Sequence, residues 1–476
     1  IVYGDLSKYQ IGEGAAEVNH ALASVKLLSD NHTNNPSLYG LLTIRAIEVS
    51  ETFGGKIICM AVTEDEERND GTPTSWSAAI DNALYNHGAC DRMMLVSAGN
   101  TDFNILDEQK YLDTLAVSSM QSPTQAVNAI AVGAYTELTV SNREGWTAIA
   151  PPQGMSPMTR TSVMWRGKNP KPDIVMEGGN AAHHEILGNA ELQEISMVST
   201  NHEIPQRPLR LFNQTSAATA LAARLAARIK TANPYLSMLS VRALMIHSAE
   251  WTDEMKRLGD SPTKIMEYCG YGVPHENKAL ASEATNTTFV FENELTPYNE
   301  DGTYKEMHFY ELPWPKELLE QMDAENVRMK VTLSYYIEPS PGFKSKYNKY
   351  RYASSALAFD VKTPRETREQ FIARNNQRQK VADRSQNDSN RWQIGILRRS
   401  IGTVQSDWFK CSARELAECG QIGVFPSNGW WKYRKIANVD NRIKYSLVVS
   451  IESSETEIYD AVLTAVRNKI AVEAIQ

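Results

Sequence analysis

The chain has 476 residues, 42% hydrophobic and 22% charged, an ordinary make-up for a folded soluble protein of about three domains at ~150 residues each. Its 49 basic and 57 acidic residues leave a net charge of −8, which argues against nucleic acid or a membrane surface as a partner. No run reaches the ~18 apolar residues of a membrane span.

Taken in order, the N-terminal half alternates strand-like and helical runs. Ile1–Asp5 is neither a signal peptide nor an initiator sequence, so the chain is expected to begin internally. Lys56–Val62 is a short apolar run, followed by an acidic loop over 64–70. Ser75–Asn86 has helical spacing, with Thr74 or Ser75 as N-cap. Arg92–Ala98 and Ala129–Ala134 are strand-like again. Ser216–Lys230, rich in Ala, Leu and Arg, predicts a strong helix, and Ser240–Ser248 a second one. Buried strands alternating with helices predict an α/β fold: a parallel sheet with helices on both faces.

The pattern changes after about residue 285. Phe289–Glu292, His308–Leu312, Val327–Ile337, Ala356–Val361, Gly402–Asp407, Gly423–Pro426 and Lys444–Ile451 read as strands. Few long helical patterns interrupt them, so residues 286–476 predict a β-rich, sandwich-like domain after a first domain over 1–285. Pro364–Ser389 is polar and rich in Arg, Gln and Asn, and reads as a solvated helix or loop. The five cysteines, Cys59, Cys90, Cys269, Cys411 and Cys419, form no Cys-x-x-Cys pair. A disulfide framework or a structural zinc site is not expected, and a reducing, cytoplasmic setting fits better.

Two segments could carry chemistry. Gln214–Ala220 (QTSAATA) places a Thr-Ser pair at the start of a helix of very small residues. There Ser216 has open N–H groups beside it and lies at the positive end of the helix dipole, a setting for a nucleophile whose substrate becomes an oxyanion. The structural alternative is a plain serine N-cap. Leu95–Asn100 (LVSAGN) ends a strand in Gly-Asn, which puts the Asn100 amide at the carboxyl end of the sheet, where ligands bind in open α/β folds. Its two N–H donors suit an oxyanion hole; the structural alternative is a Gly-Asn turn.

The serial order of MAV (60–62), SAGN (97–100), NAIAVGA (128–134), KPDIV (171–175), QTSAATA (214–220) and GYGVP (270–274) resembles the catalytic domain of subtilisin-like serine proteases over residues 1–285. LASVKLL (22–28), SLYG (37–40), ELPWP (311–315), VTLSYYIEPSPG (331–342) and GWWKYR (429–434) resemble a subgroup with a long β-rich C-terminal region. The resemblance implies that Ser216 is the nucleophile and Asn100 the oxyanion donor. It implies that Met60, Ala61, Val62 and Thr63 pair with the substrate backbone by strand addition. Val96, Ser97, Ala98 and Gly99 would line the pocket for the residue before the scissile bond. The substrate would be a protein or peptide, and no cofactor or metal is implied.

Three departures stand out. Gln214 replaces the glycine before Thr-Ser, and Ala220 replaces a proline. The family's catalytic aspartate and its H-G-T histidine fall before the region matching residue 1, and no H-G-T occurs. Of the nine histidines, His202 is the nearest stand-in base in sequence. His183 and His184 precede Glu185 but lack His-Glu-x-x-His spacing. Two readings follow: a serine endopeptidase whose Asp and His lie upstream, so that this chain alone is inactive, or a protease-like binding module that never cleaves.

Overall fold

Short β-branched and apolar runs build the central sheet. Its strands are β1 (Ile57–Met60), β2 (Met93–Ser97), β3 (Ile130–Thr136) and, after the short β4 (Thr147–Ala148) and β5 (Gly154–Met155), β6 (Ile174–Glu177). β1 pairs with β2, β2 with β3 and β3 with β6, all parallel, while β5 adds an antiparallel piece to the end of β3. Every residue of β2 is buried, as a strand covered on both faces must be. The α/β expectation holds. The computed structural model describes all of residues 1–476 except 9–17, 29–33, 65–68, 103–105, 107–109, 141–142, 166–168, 204, 281–285, 313, 315, 323–325, 341–351, 381–390, 396–398, 434–440, 454–471 and 476.

The helices that matter here are α1 (Tyr39–Thr52), α2 (Ser75–Tyr85), α3 (Tyr111–Val117), α4 (Gln214–Ala232) and α5 (Met238–Ser248). Thr74 caps α2 reciprocally: its Oγ1 accepts from Ser77 N (3.1 Å) and its own N–H donates to Ser77 Oγ (2.8 Å). α4 lies against β1, β2, β3 and β6. Its buried face is nearly all small: Thr215, Ala217, Ala218, Thr219, Ala222, Ala223 and Ala226, with only Leu225 and Ile229 larger. Methyl side chains let the helix settle close onto the sheet. Three short antiparallel pairs follow or interleave: β7 (Ala182–His184) with β8 (Gly188–Ala190), β9 (Val198–Thr200) with β10 (Leu209–Leu211), and β11 (Ala249–Glu250) with β12 (Val273–Pro274).

Buried charge stitches the entrance of β3 to its neighbours. Asp81 on α2, fully buried, accepts from Val127 N (3.1 Å) and Asn128 N (2.7 Å). Asp173, ahead of β6, accepts from Ala131 N (2.7 Å) and from the Lys171 ammonium (2.5 Å). Lys171 also donates to Ala129 O (3.2 Å). Burial pulls the Lys171 pKa down, against the pull of Asp173 that raises it.

The chain divides into two units, Ile1–Leu84 with Asp91–Leu280, and Tyr85–Cys90 with Ala281–Gln476. The second contains two four-stranded antiparallel sheets. One runs β13 (Asn286–Leu295), β19 (Ile443–Ser453), β15 (Asn326–Tyr335), β17 (Val404–Ser412). The other runs β16 (Ala356–Val361), β18 (Gln421–Ser427), β14 (Met307–Glu311), β20 (Val472–Ile475). Side chains join them: His308 Nδ1 bonds Tyr445 Oη at 2.6 Å, and Gln405 Nε2 donates to Leu357 O at 2.6 Å.

The polar 364–389 segment is more embedded than its composition implies. It forms a helix over Arg368–Lys380, whose Phe371 is fully buried among Met307, Phe309, Ala358 and Phe425. Arg374 pairs with Asp360 and Glu366. One aromatic and one cation anchor an otherwise polar helix, too sparse a signal to give an apolar stripe. Residues 381–389 lie outside the described residues.

Lys171→Met should lower stability by about 3–5 kcal/mol, because it strands the Asp173 carboxylate in the interior. Urea unfolding followed by circular dichroism measures this. A midpoint unchanged from wild type would mean that the pair contributes nothing.

Candidate active site

Asn100 follows the carboxyl end of β2, and Thr215 stands in the first turn of α4. Asn100 Oδ1 accepts from Thr215 N (3.1 Å) and from Thr215 Oγ1 (2.7 Å). A backbone N–H can only donate, so the atom facing Thr215 must be the amide oxygen. The Nδ2 group is thereby turned away, and it has no acceptor among the described residues. The Asn100 backbone is held as well: Arg160 Nε donates to Asn100 O (2.8 Å) and Arg160 Nη1 to Ser119 O (3.0 Å). Next to it, Thr101 N–H and Oγ1 bond Met158 O (3.1 Å) and Thr159 O (2.7 Å).

Ser216 is not the cap of α4. The helix begins at Gln214, with Asn213 as N-cap, so Ser216 sits inside the first turn and half-buried. Helix N-termini leave their first N–H groups without intrahelical acceptors. Two are occupied here: Gln214 N donates to Gly178 O (2.7 Å) and Thr215 N to Asn100. Among the described residues, neither the Ser216 N–H nor its Oγ has a partner outside the helix. Ser216 thus directly follows the residue that holds the Asn100 amide oxygen, and its own N–H and Asn100 Nδ2 are both open. Such donors can stabilise negative charge developing on an oxygen.

The approach to this turn is tight. A Cβ on Gly178 would collide with Ala134 Cβ and come within 3.1 Å of Gln214 O. Gln214 itself has φ +69°, the left-handed region that costs a non-glycine residue ~1–2 kcal/mol. Its side chain reaches Glu191 Oε1 at 3.1 Å. Asn213 Oδ1 accepts from Met197 N (3.0 Å), and its Nδ2 donates to Ser196 Oγ (2.7 Å). At the end of β6, burial raises the Glu177 carboxyl above its ordinary range, against N–H bonds from Glu137 (2.7 Å) and Gly179 (2.8 Å) that lower it.

The other expected residues occupy two strips. Met60 ends β1 and is buried, Ala61 is exposed, and Val62 and Thr63 are half-buried; residues 61–63 join no sheet. Val96 and Ser97 lie in β2 and, with Ala98 and Gly99, are buried. The sequence reading missed Thr215 as the orienter of Asn100 and Arg160 as its backbone clamp. Thr215 was visible as the neighbour of Ser216; Arg160 carried no local signal.

His202 is 80% exposed at its side chain and lies 3.9 Å from Glu203; no hydrogen bond joins it to Ser216. His183 Nδ1 bonds Asn189 Oδ1 (2.8 Å), and His184 Nδ1 accepts from Ile186 N (3.1 Å). Among the described residues no group of three or more His, Cys, Asp or Glu is placed to hold a metal ion, and no disulfide forms. A cavity of about 580 Å³ opens beside β1, lined by Ile1, Ala23, Ile47, Ile57 and Ala227 among others, and neither Ser216 nor Asn100 lines it. Burial there pushes the Cys59 thiol up to about 11.

Gln214→Gly should leave stability unchanged or raise it by up to about 1 kcal/mol, since glycine adopts this φ without strain. Gln214→Val should lower it by at least about 1 kcal/mol. Chemical denaturation of the three proteins checks the order; a valine variant as stable as wild type would remove the strain argument.

Similar solved structures include the prenylagaramide maturation protease PagA, at 14% identity over 51% of this chain and 66% of that one, with a TM-score of 0.32. MycP1 from Mycobacterium smegmatis follows at 16% identity, 51% and 55% coverage and 0.29, and sphericase at 18%, 47%, 58% and 0.30. The chain thus spans between about half and two thirds of the length of these proteins. No curated protein matches it. The description "Subtilase family" matches residues 2–273, more than half of the chain and the part that holds both Asn100 and Ser216. This protein therefore belongs to the subtilase family.

Proposed function

We propose that the chain carries the nucleophile and the oxyanion site of a serine endopeptidase. Ser216 Oγ attacks the peptide carbonyl. The carbonyl oxygen becomes an oxyanion and is met by Asn100 Nδ2 and the Ser216 N–H. Collapse expels the amine, which takes the serine proton, and water then releases the acyl group. This is the mechanism of the family. The single observation that carries the reading is the Thr215–Asn100 pairing, which occupies the oxygen of that amide and leaves its N–H donors open at the turn that carries Ser216.

The general base is a histidine from outside these 476 residues, oriented by an aspartate also outside them. No described histidine bonds Ser216. The peptide lies along residues 60–63, whose backbone past Met60 belongs to no sheet, with Val96–Gly99 beneath the residue before the scissile bond. Substrates are proteins or peptides. No described helix is long and apolar enough to cross a membrane, and a cytoplasmic setting is proposed on the odd number and the spacing of the five cysteines alone.

In a polypeptide that includes that histidine and aspartate, Asn100→Ala should lower kcat by roughly 10²–10³, the magnitude familiar for loss of one oxyanion donor, with little change in KM. Ser216→Ala should abolish labelling by a fluorophosphonate. Wild-type kcat in folded Asn100→Ala would remove Asn100 from the reaction. Absence of labelling in every form would favour the non-cleaving binding module. The 476-residue chain alone should neither hydrolyse peptides at a useful rate nor label strongly; strong labelling at Ser216 would reveal an internal base, with His202 the first to test.

Residues 1–285 and 286–476 are further proposed as separate domains. Residues 286–476 expressed alone should give a predominantly β circular-dichroism spectrum with a cooperative melt. A helical or unfolded spectrum would overturn the division.

A further inference from the structure

Between the two strips of the cleft stands a residue that neither strip contains. Gln121 follows α3 by four residues and is only 9% exposed. Its Oε1 accepts from Thr63 Oγ1 at 2.8 Å, which ties it to the strip leaving β1. Its N–H donates to Ala98 O at 3.3 Å, which ties it to the strip leaving β2. Its side chain also covers Gly99. That glycine has φ +87°, and a Cβ there would collide with Gln121 Oε1 and stand 2.9 Å from Cδ and 3.1 Å from Cγ. The room that glycine leaves is filled by the Gln121 amide. The backbone behind it is fixed by Thr124 N to Gln121 O (3.1 Å) and Glu64 N to Ser122 O (2.9 Å). The Gln121 Nε2 has no acceptor among the described residues.

We propose that Gln121 sets the residue accepted immediately before the scissile bond, closing the floor over Gly99 so that only a short side chain, alanine or asparagine, fits there. This rests on the peptidase reading above. Two physical effects act in the same direction. A long or aromatic side chain laid over Val96–Gly99 meets Gln121 Cγ and Cδ, in a wall tethered at both ends. An apolar side chain that covered Nε2 would leave a buried donor unpaired, whereas an asparagine oxygen can accept from it. Shortening Gln121 removes both effects and should open the floor to larger residues.

The test is binding of four tetrapeptide aldehydes, Ala-Ala-Pro-X with X as Ala, Asn, Leu or Phe, to the 476-residue chain by isothermal titration calorimetry. Binding does not require turnover, so the measurement is independent of the general base. Wild type should bind the Ala and Asn aldehydes at least tenfold tighter than the Phe aldehyde. Gln121→Gly should tighten Phe and Leu at least tenfold. Should that variant not fold, as judged by circular dichroism, Gln121→Ala and Thr63→Val take its place, the latter expected to narrow the discrimination against Phe several-fold by cutting the tether. Phe bound tightest by wild type, or an order unchanged by the folded variants, would overturn the role of Gln121 while leaving the cleft a peptide site. Binding of none of the four by wild type or variants would overturn the peptide-cleft reading, and this inference with it.

Discussion

Everything at the candidate site depends on how closely α4 lies on the sheet. Its buried face is made of alanines and threonines, with little bulk between helix axis and strands. The helix therefore rests against β1, β2, β3 and β6 together, and its first turn ends up beside the carboxyl ends of β2 and β6. A leucine at Ala217 or Ala218 would overpack that contact and lift the turn. The closeness also explains Gly178, the one residue type that fits between Ala134 and the Gln214 carbonyl.

Hydrogen bonds then convert proximity into orientation. Gln214 N docks on Gly178 O, and Thr215 docks on Asn100. The second of these has a directional consequence. By consuming the oxygen of the Asn100 amide, Thr215 fixes which end of that amide is left open, its N–H donors. Gln214 holds its place at a φ that favours glycine, so the turn is imposed by the anchors on either side of it and not by the preference of its own residue. Buried carboxylates at Asp81 and Asp173 hold the entrance of β3 in the same way, by satisfying N–H groups that the sheet leaves open, and Lys171 donates to Asp173 and to the Ala129 carbonyl.

The second unit is built on different physics. Its long strands β13, β15, β17 and β19 pair in antiparallel register over nine or ten residues, and polar side chains such as His308, Tyr445 and Gln405 bond across its two sheets. Arg399 and Asp407, both almost completely buried, pair at 3.2 Å, with the guanidinium over Phe359 and Trp392. Such a buried pair needs its extra hydrogen bonds to offset desolvation, and Asp407 has them from the N–H groups of Ile394, Gly395 and Trp408.

The sequence by itself determined what depends on local pattern. Apolar runs at 57–60, 93–97 and 130–136 were legible as buried strands, the Ala-rich run after Gln214 as a helix, and the shift to β-rich segments after about residue 285 as a change of architecture. Ser216 and Asn100 stood out as candidates because each sits at the boundary of such a pattern. Tertiary structure alone decided what depends on partners distant in the chain. Thr215 meets Asn100 across 115 residues, and Thr63 meets Gln121 across 58. Phe371 finds its pocket among three strands, although its own helix is almost wholly polar. Hydrophobic periodicity is a property of neighbours along the chain, and it places elements. Hydrogen-bond direction, left-handed backbone at Gln214 and the filling of space over Gly99 are properties of neighbours across the fold, and no local pattern encodes them.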